Sequence, residues 1–163
     1  MPLATPAVAT NQYQRATQLG VYVQEQAEWD NLSVILGSRY DRSRIHLNNR
    51  IGAANDRNDG ALTGRAGAIY TFDNGIAPFA SYATSFEPEL STGRPGSPSF
   101  EPTEGQQAEV GVKHQPPGWN ALFTAALFDI HQTNVVTYDS RLGYNGRSAR
   151  SAAAASSSRR TPS

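Results

Sequence analysis

The chain has 163 residues, and its 14 lysine and arginine residues balance 14 aspartate and glutamate residues to a formal net charge of zero. A chain without a basic excess argues against nucleic acid as a partner. The absence of cysteine excludes disulfide scaffolds, thiolate zinc sites and cysteine nucleophiles. The charge is uneven, because every acidic residue lies in 1–140 while 141–163 contain five arginines and no acid.

The N-terminal residues show no targeting signal. Residues 1–14 contain neither the basic stretch nor the solid apolar stretch of a signal peptide. No apolar run approaches the ~20 residues of a membrane-spanning helix. Met1 is the sole methionine, and we expect this chain to begin inside a longer parent protein. Residues 1–17 of this chain are expected to form an irregular leader.

Residues 18–140 alternate apolar and polar side chains with a period of two, which predicts half-buried β-strands. On the first strand one face is apolar, with Glu25 as its exception; its apolar members are Leu19, Val21, Val23, Ala27 and Trp29. Further alternating segments follow at 32–41, 62–72, 77–86, 108–115 and 122–133. The pattern predicts an all-β antiparallel meander of about six strands of roughly ten residues, the length that crosses a bilayer when tilted.

The predicted connections alternate between short and long. Tight-turn sequences lie at 30–31, 73–75 and 116–118, and long polar loops lie at 41–60 and 87–105. Such alternation is typical of outer-membrane barrels, which also carry aromatic girdles at the membrane interface. Aromatic residues do cluster near the short turns: Trp29, Tyr70, Phe72, Phe79, Trp119 and Phe123. An alternative interpretation is a soluble β-sheet module whose aromatic residues pack a core or cap hairpins.

Strand number restricts the membrane interpretation. About six strands are fewer than the roughly eight of the smallest outer-membrane barrels. An open sheet edge in lipid leaves backbone groups unpaired, at several kcal/mol each. A membrane-spanning chain of this size is therefore expected to be a piece of a larger barrel.

Four segments closely resemble the barrel of TonB-dependent siderophore receptors of the ferrichrome and ferrioxamine type. They are GVYVQEQAEWDNLSVILGSRYD (20–41), TGRAGAIYTFDNGIAPFASYATSFEP (63–88), PTEGQQAEVGVKHQPPG (102–118) and TAALFDIHQTNVV (124–136). The runs YATSFEP (82–88) and EGQQAEVGVK (104–113) are the most specific. The resemblance covers nearly all of 18–140, in order and with the hairpin spacing intact.

The resemblance implies a Gram-negative outer-membrane receptor that imports a ferric siderophore, driven through TonB, ExbB and ExbD. It implies a 22-stranded barrel around a plug domain, of which 18–140 form a middle portion. The chain lacks a match to the plug and to the TonB box, so we expect it to be truncated and unable to transport alone. A general porin-like barrel piece is the second interpretation.

The expected role needs neither catalytic groups nor a resident cofactor or metal, because a ferric siderophore brings its own iron ligands. Polar residues on the inner face are expected to contact the plug or water: Arg39, Arg65, Glu109, Lys113 and Asp129. Ligand-contacting residues are not assigned. The sequence contains no phosphate loop, GxSxG or HExxH motif, so no enzymatic activity is predicted.

Other clusters of polar residues give weaker signals. His46, His114 and His131 are scattered, and His131 shares a strand face with Asp129, where an ordinary hydrogen bond is the expected role. Residues 55–60 (NDRNDG) contain calcium-like acids, but Arg57 occupies a ligand position, so a polar loop is expected. Glu87, Glu89, Glu101 and Glu104 bracket the second long loop without a predicted cleft.

The tail 141–163 is basic and of low complexity. From residue 146 it contains only glycine, arginine, serine, alanine, threonine and proline, a composition that cannot bury a core, so disorder is expected. Codons for these residues dominate GC-rich DNA read out of frame, which suggests that a frameshift ends the receptor-like sequence near Gly146. Reading the gene in the shifted frame tests this hypothesis: it fails if no receptor-like strand reopens.

Overall fold

The computed structural model describes residues 12–49, 55–90, 100–141 and 144–160. These ranges form one antiparallel sheet in which every strand pairs with its sequence neighbour. The described residues contain no helix long and apolar enough to cross a membrane. The strands are β1 (Gln12–Trp29), β2 (Leu32–Asn49), β3 (Asn55–Tyr70), β4 (Ile76–Glu87), β5 (Thr103–His114), β6 (Leu122–Asp139) and β7 (Tyr144–Arg160).

Short connections join β1 to β2, β3 to β4 and β5 to β6 at the same end of the strands, which we call the turn end. The opposite end of the strands is the loop end. Asp30, with φ of 48°, forms the turn between β1 and β2. Gly75, with φ of 80°, lies between β3 and β4, and its carbonyl oxygen accepts a hydrogen bond from Gln115 N at 2.9 Å. A Cβ on Gly75 would lie 1.9 Å from the Gln115 carbonyl oxygen, so only glycine fits.

The strands are longer than predicted at the loop end. Residues 12–17, expected to be irregular, belong to β1, and β2 and β3 pair from Leu32 with Tyr70 to Leu47 with Asn55. The loop expected at 41–60 is therefore mostly strand; residues 50–54 lie outside the described ranges. Residues 87 and 103–105 of the second predicted loop are also strand, since β4 ends at Glu87 and β5 begins at Thr103, and residues 91–99 lie outside the described ranges. The prediction failed on β2 because the apolar side chains change faces at Ile45 and Leu47, and on β3 because residues 55–60 contain no apolar side chain.

The tail also differs from the expectation. Residues 144–160 form β7, which pairs with β6 from Leu122 with Arg160 to Asp139 with Tyr144, so the described residues form seven strands. A composition poor in apolar residues limits side-chain burial, whereas an edge strand is held by backbone hydrogen bonds to its neighbour. A shift of register between Gln132 and Val135 marks a bulge in β6. The frameshift hypothesis stays a prediction.

The β3–β4 ladder is short compared with its neighbours. It runs only from Arg65 with Ala83 to Ile69 with Phe79. At its end the Thr84 hydroxyl accepts a hydrogen bond from Gly64 N at 2.9 Å and lies 3.4 Å from Gly64 O. The threonine side chain thus replaces the next rung of the ladder, and β3 and β4 separate toward the loop end.

Candidate functional site

One face of the sheet is apolar and exposed; we call it the apolar face. Antiparallel partners point to the same side of a sheet, so the rungs Val21–Tyr40–Leu62 and Ala80–Val110–Leu127 place these side chains together. Leu19 is 71% exposed, Leu62 73% and Leu127 61%. Soluble monomers rarely expose a continuous apolar patch of this extent, so this face fits contact with lipid.

Aromatic side chains border the apolar face at the turn end. Trp29 and Trp119 are exposed, and the rings of Tyr70 and Phe72 meet edge to face with centroids 4.8 Å apart. Indole and phenol rings favour the membrane interface. Phe79 does not belong to this girdle, contrary to the prediction, because it pairs with Gly111 and Ile69 on the opposite face.

The chemistry of the two faces inverts toward the loop end. On β2 the apolar-face row continues past Tyr40 with Arg42, Arg44 and His46, whereas Ile45 and Leu47 on the other face are buried. The Arg44 Nε donates to Asn58 Oδ1 at 3.0 Å, and His46 Nδ1 contacts Asp56 Oδ1. On β6 the row likewise becomes polar after Leu127, at Asp129 and His131. These extensions therefore suit water rather than lipid.

The apolar band has a height that can be estimated from β1. Leu19 to Trp29 spans ten residue steps, which at the antiparallel rise of ~3.4 Å per step and a tilt of ~45° gives a band of roughly 24 Å. The apolar band of outer-membrane barrels is about 25 Å tall. Glu25 is the exception on this stretch: it pairs with Leu36 in the middle of the band and has no ion-pair partner among the described residues.

The opposite side, which we call the polar face, carries an ion pair between Arg39 and Asp41. Arg39 donates from Nε to Asp41 Oδ2 at 2.6 Å and from Nη2 to Oδ1 at 2.8 Å. Gln18 Nε2 donates to the same Asp41 Oδ1 at 3.0 Å, and Asp41 is only 4% exposed. The pair lies over Gly20, where a Cβ would come within 2.6 Å of both side chains. A bidentate guanidinium fixes the carboxylate geometrically.

A second arginine on the polar face reaches across a neighbouring strand. Arg65 of β3 donates from Nη2 to Gln24 Oε1 of β1, and its stem crosses Gly37 of β2, where a Cβ would lie 3.3 Å from Arg65 Cγ. A shallow cavity of about 350 Å³ opens here, lined also by Tyr22, Arg39 and Thr63. The depression offers guanidinium, amide and hydroxyl groups to whatever lies against this face.

Four of the five predicted inner-face residues share the polar face. Arg39 and Arg65 lie on it as described, and Glu109 and Lys113 join it through their partners Ser81 and Ala77. Lys113 Nζ lies 5.4 Å from the centre of the Phe79 ring. The prediction for Asp129 is wrong: it pairs with Ala108 on the apolar-face row and therefore does not share the polar face.

The calcium-like segment is part of β3 and not a loop. Arg57 Nε donates to both Asp59 carboxylate oxygens, at 2.9 and 2.7 Å, and these hydrogen bonds raise the pKa of the guanidinium. Among the described residues no group of three or more acidic or histidine side chains is arranged to hold a metal ion. His114 and His46 lie on the same face of the sheet but on distant strands, β5 and β2.

The polar-face partners Gln18 and Gln24 were not predicted from the sequence. Both lie on β1. Gln18 meets Asp41 only once the register of β1 to β2 is fixed, and Gln24 meets Arg65 only once the register of β2 to β3 is fixed as well. A usable signal was present: Gly20 and Gly37 interrupt the polar rows next to long arginines. Glycine in a strand interior often marks a close approach.

The sequence model for "TonB dependent receptor-like, beta-barrel" matches residues 2–160. The chain belongs to this family. The ferrichrome outer membrane transporter/phage receptor of Escherichia coli K12 is 43% identical over 123 residues, which are 75% of this chain and 16% of that protein. The ferrioxamine B receptor of Salmonella typhimurium SL1344 is 40% identical over 121 residues, 74% of this chain and 17% of that protein. The chain thus spans about a sixth of these relatives.

Solved receptors share the fold of this family member. The ferric-catecholate import receptor Fiu of E. coli K12 superposes with a TM-score of 0.71 at 17% identity, covering 92% of this chain and 26% of that one. The alcaligin outer-membrane receptor FauA of Bordetella pertussis gives 0.62 at 22% identity, covering 86% and 26%. The seven-stranded meander is therefore a portion of a receptor barrel, as the resemblance implied.

Proposed function

We propose that this chain forms part of the wall of an outer-membrane receptor that takes up a ferric siderophore in a TonB-dependent manner. The observation that carries the proposal is the exposed apolar band of about 24 Å, backed by a polar face with ordered ion pairs. The matched relatives, named as ferrichrome and ferrioxamine receptors, support a siderophore as the cargo.

In this proposal the two faces have separate roles. The apolar face, with residues such as Leu36 and Val110, contacts outer-membrane lipid. The polar face, with Arg39 and Arg65, faces the interior of the parent barrel. TonB, ExbB and ExbD are partners of the whole receptor and not of this wall segment. The segment supplies neither catalytic groups nor a resident cofactor, since iron arrives within its chelate.

Tryptophan fluorescence in brominated lipid tests the orientation of the wall. The chain has two tryptophans, Trp29 and Trp119, which are replaced by phenylalanine to give a silent background. In that background Leu36→Trp is expected to be quenched by lipid brominated near the bilayer centre. The matched control is Tyr22→Trp, which lies on the neighbouring strand β1 but points to the polar face. It is expected to escape quenching.

Two results would contradict the membrane role. One is equal quenching of the two probes; the other is a chain that stays monodisperse without detergent or lipid, which would favour a soluble β-sheet module. Siderophore uptake is tested separately, by binding of a ferric hydroxamate to a receptor that contains this segment. Failure there, with the lipid result intact, would leave a porin-like wall.

A further inference from the structure

The sheet is split between β3 and β4 over the part of these strands that lies toward the loop end. The β3–β4 ladder ends at the pair of Arg65 with Ala83, whereas β3 is paired with β2, and β4 with β5, along its full length. We call the gap between residues 55–64 of β3 and 84–87 of β4 the seam. A cavity of about 260 Å³ lies in the seam and is lined by residues of both strands.

The residues on both sides of the seam explain why the ladder stops. In the register of Arg65 with Ala83, a continued ladder would set Gly60 opposite Pro88. Proline cannot donate a backbone hydrogen bond, and glycine in a strand interior weakens the strand. The local sequence of both strands therefore favours separation at this place.

One contact identifies the backbone groups that face the seam. Gly64 N donates to the Thr84 hydroxyl oxygen at 2.9 Å, so the N–H group of Gly64 points toward β4. In an antiparallel sheet the N–H and C=O groups of one residue point to the same neighbouring strand, and those of the next residue point to the other. Leu62 and Gly60 therefore direct both of their backbone groups into the seam, whereas the residue between them faces β2.

These backbone groups form a free strand edge. Among the described residues, no backbone group of β4 pairs with Gly60 or Leu62, and both residues are exposed. Phe86, which would oppose Leu62 in a continued ladder, borders the same cavity from β4. Donors and acceptors that recur at every second residue, ~6.8 Å apart, match the backbone of another β-strand.

The seam opens toward water. Leu62 pairs with Tyr40 and is the last apolar side chain of its row on β3, since the next rung toward the loop end joins Gly60 to Arg42. An unpaired backbone group in hydrocarbon costs several kcal/mol, so a free strand edge suits the region beyond this border and not the apolar band. A partner can therefore reach the seam from the loop end.

We propose that the seam is a site of strand addition, at which an extended peptide segment of a partner protein pairs its backbone with Gly60 and Leu62 of β3. The added strand runs antiparallel to β3, because antiparallel pairing is the more stable arrangement. Its side chain beside Leu62 and Phe86 is apolar. On the other face the seam is bordered by Thr63 and Ser85, which suit polar side chains. This site does not depend on the cargo that the receptor carries.

Binding of a model peptide tests the proposal. The probe is a fluorescently labelled peptide of alternating valine and lysine, which is added to the folded chain in detergent micelles and followed by fluorescence anisotropy. A peptide residue directly opposite Leu62 exchanges both backbone hydrogen bonds with it and lies on the same face of the sheet. The valines, which suit the apolar side, therefore donate to β3, and the lysines do not.

Two N-methylated peptides of the same sequence are the matched controls. N-methylation of the valines is expected to weaken binding roughly tenfold or more, because it removes the hydrogen bonds donated to β3. N-methylation of the lysines is expected to weaken binding much less. Equal effects of the two modifications, or no binding of the unmodified peptide, would overturn the proposal.

Amide hydrogen exchange, resolved by residue, locates the bound peptide. The unmodified peptide is expected to slow the exchange of the Gly60 and Leu62 amides by about tenfold or more, because both amides gain a partner. The amides of Ala61 and Thr63, which face β2, are expected to change little. Equal protection of all four amides, or protection of none, would refute strand addition at the seam.

Discussion

Replacing Ala80 by lysine provides a direct test of which face meets lipid. Ala80 lies in the middle of the apolar-face portion of β4, exposed, and paired with Ala68 and Val110. A lysine at the bilayer midplane of a barrel strand destabilises the folded state by about 2–4 kcal/mol. That range corresponds to a loss of roughly thirty- to several-hundred-fold in the folding equilibrium constant.

The neighbouring residue supplies the matched control. Ser81 is also exposed, but it points to the polar face, where its cross-strand partner is Glu109. The negative charge of Glu109 is opposite to that of an introduced lysine. Ser81→Lys is expected to change stability by less than about 1 kcal/mol, because an exposed ion pair contributes little. The two variants place the same charge one residue apart on the same strand, so only the face differs.

The assay is urea unfolding of the chain refolded into lipid vesicles, followed by the fluorescence of Trp29 and Trp119. Ala80→Lys is expected to lower the unfolding midpoint strongly and Ser81→Lys only slightly. Similar losses in both variants would refute the assignment of the apolar face to lipid. A larger loss for Ser81→Lys would mean that the two faces are reversed.

Three further predictions concern single positions. Gly111→Ala is expected to destabilise by about 1–3 kcal/mol through overpacking, since its Cβ would lie 2.6 Å from a carbonyl oxygen and from an aromatic carbon; Gly146→Ala, with open space around it, is the control in the same urea titration. Glu25→Leu is expected to stabilise the chain in lipid by on the order of 1 kcal/mol, and an unchanged or lower midpoint would show that this carboxylate has a partner or lies in water. Arg39→Gln is expected to lower the midpoint more than Arg44→Gln, because Arg39 holds a buried carboxylate whereas Arg44 bonds an exposed amide; equal effects would contradict that difference.

Much of the sheet was predictable because lipid and water select side chains locally. The alternation around Val21 and Val110 identified the strands and their faces, and the tight-turn sequences identified the turn end. Asp129 was misplaced because β6 has apolar residues on both faces, Phe128 beside Leu127, and alternation then gives no orientation. The register to β5 resolves it.

The site was less predictable than the sheet, because its contacts join residues far apart in sequence. Arg65 and Gln24 are 41 residues apart and lie on strands that flank β2. They meet because Gly37 of β2 has no side chain, which leaves room for the arginine stem to cross. Gln14 and Leu90 are 76 residues apart. No local pattern in the sequence encodes either contact.

The sequence by itself determined a β-meander of the receptor-barrel type, with an apolar face, tight turns at one end and polar connections at the other. Alternation and turn chemistry act within a few residues, so they can be read from the order of residues alone. Tertiary structure decided that β2 extends past Asp41, that β3 begins at Asn55, and that residues 144–160 add a seventh strand to the described sheet. Those features depend on backbone pairing and burial between distant segments, which arise only when the strands are in register.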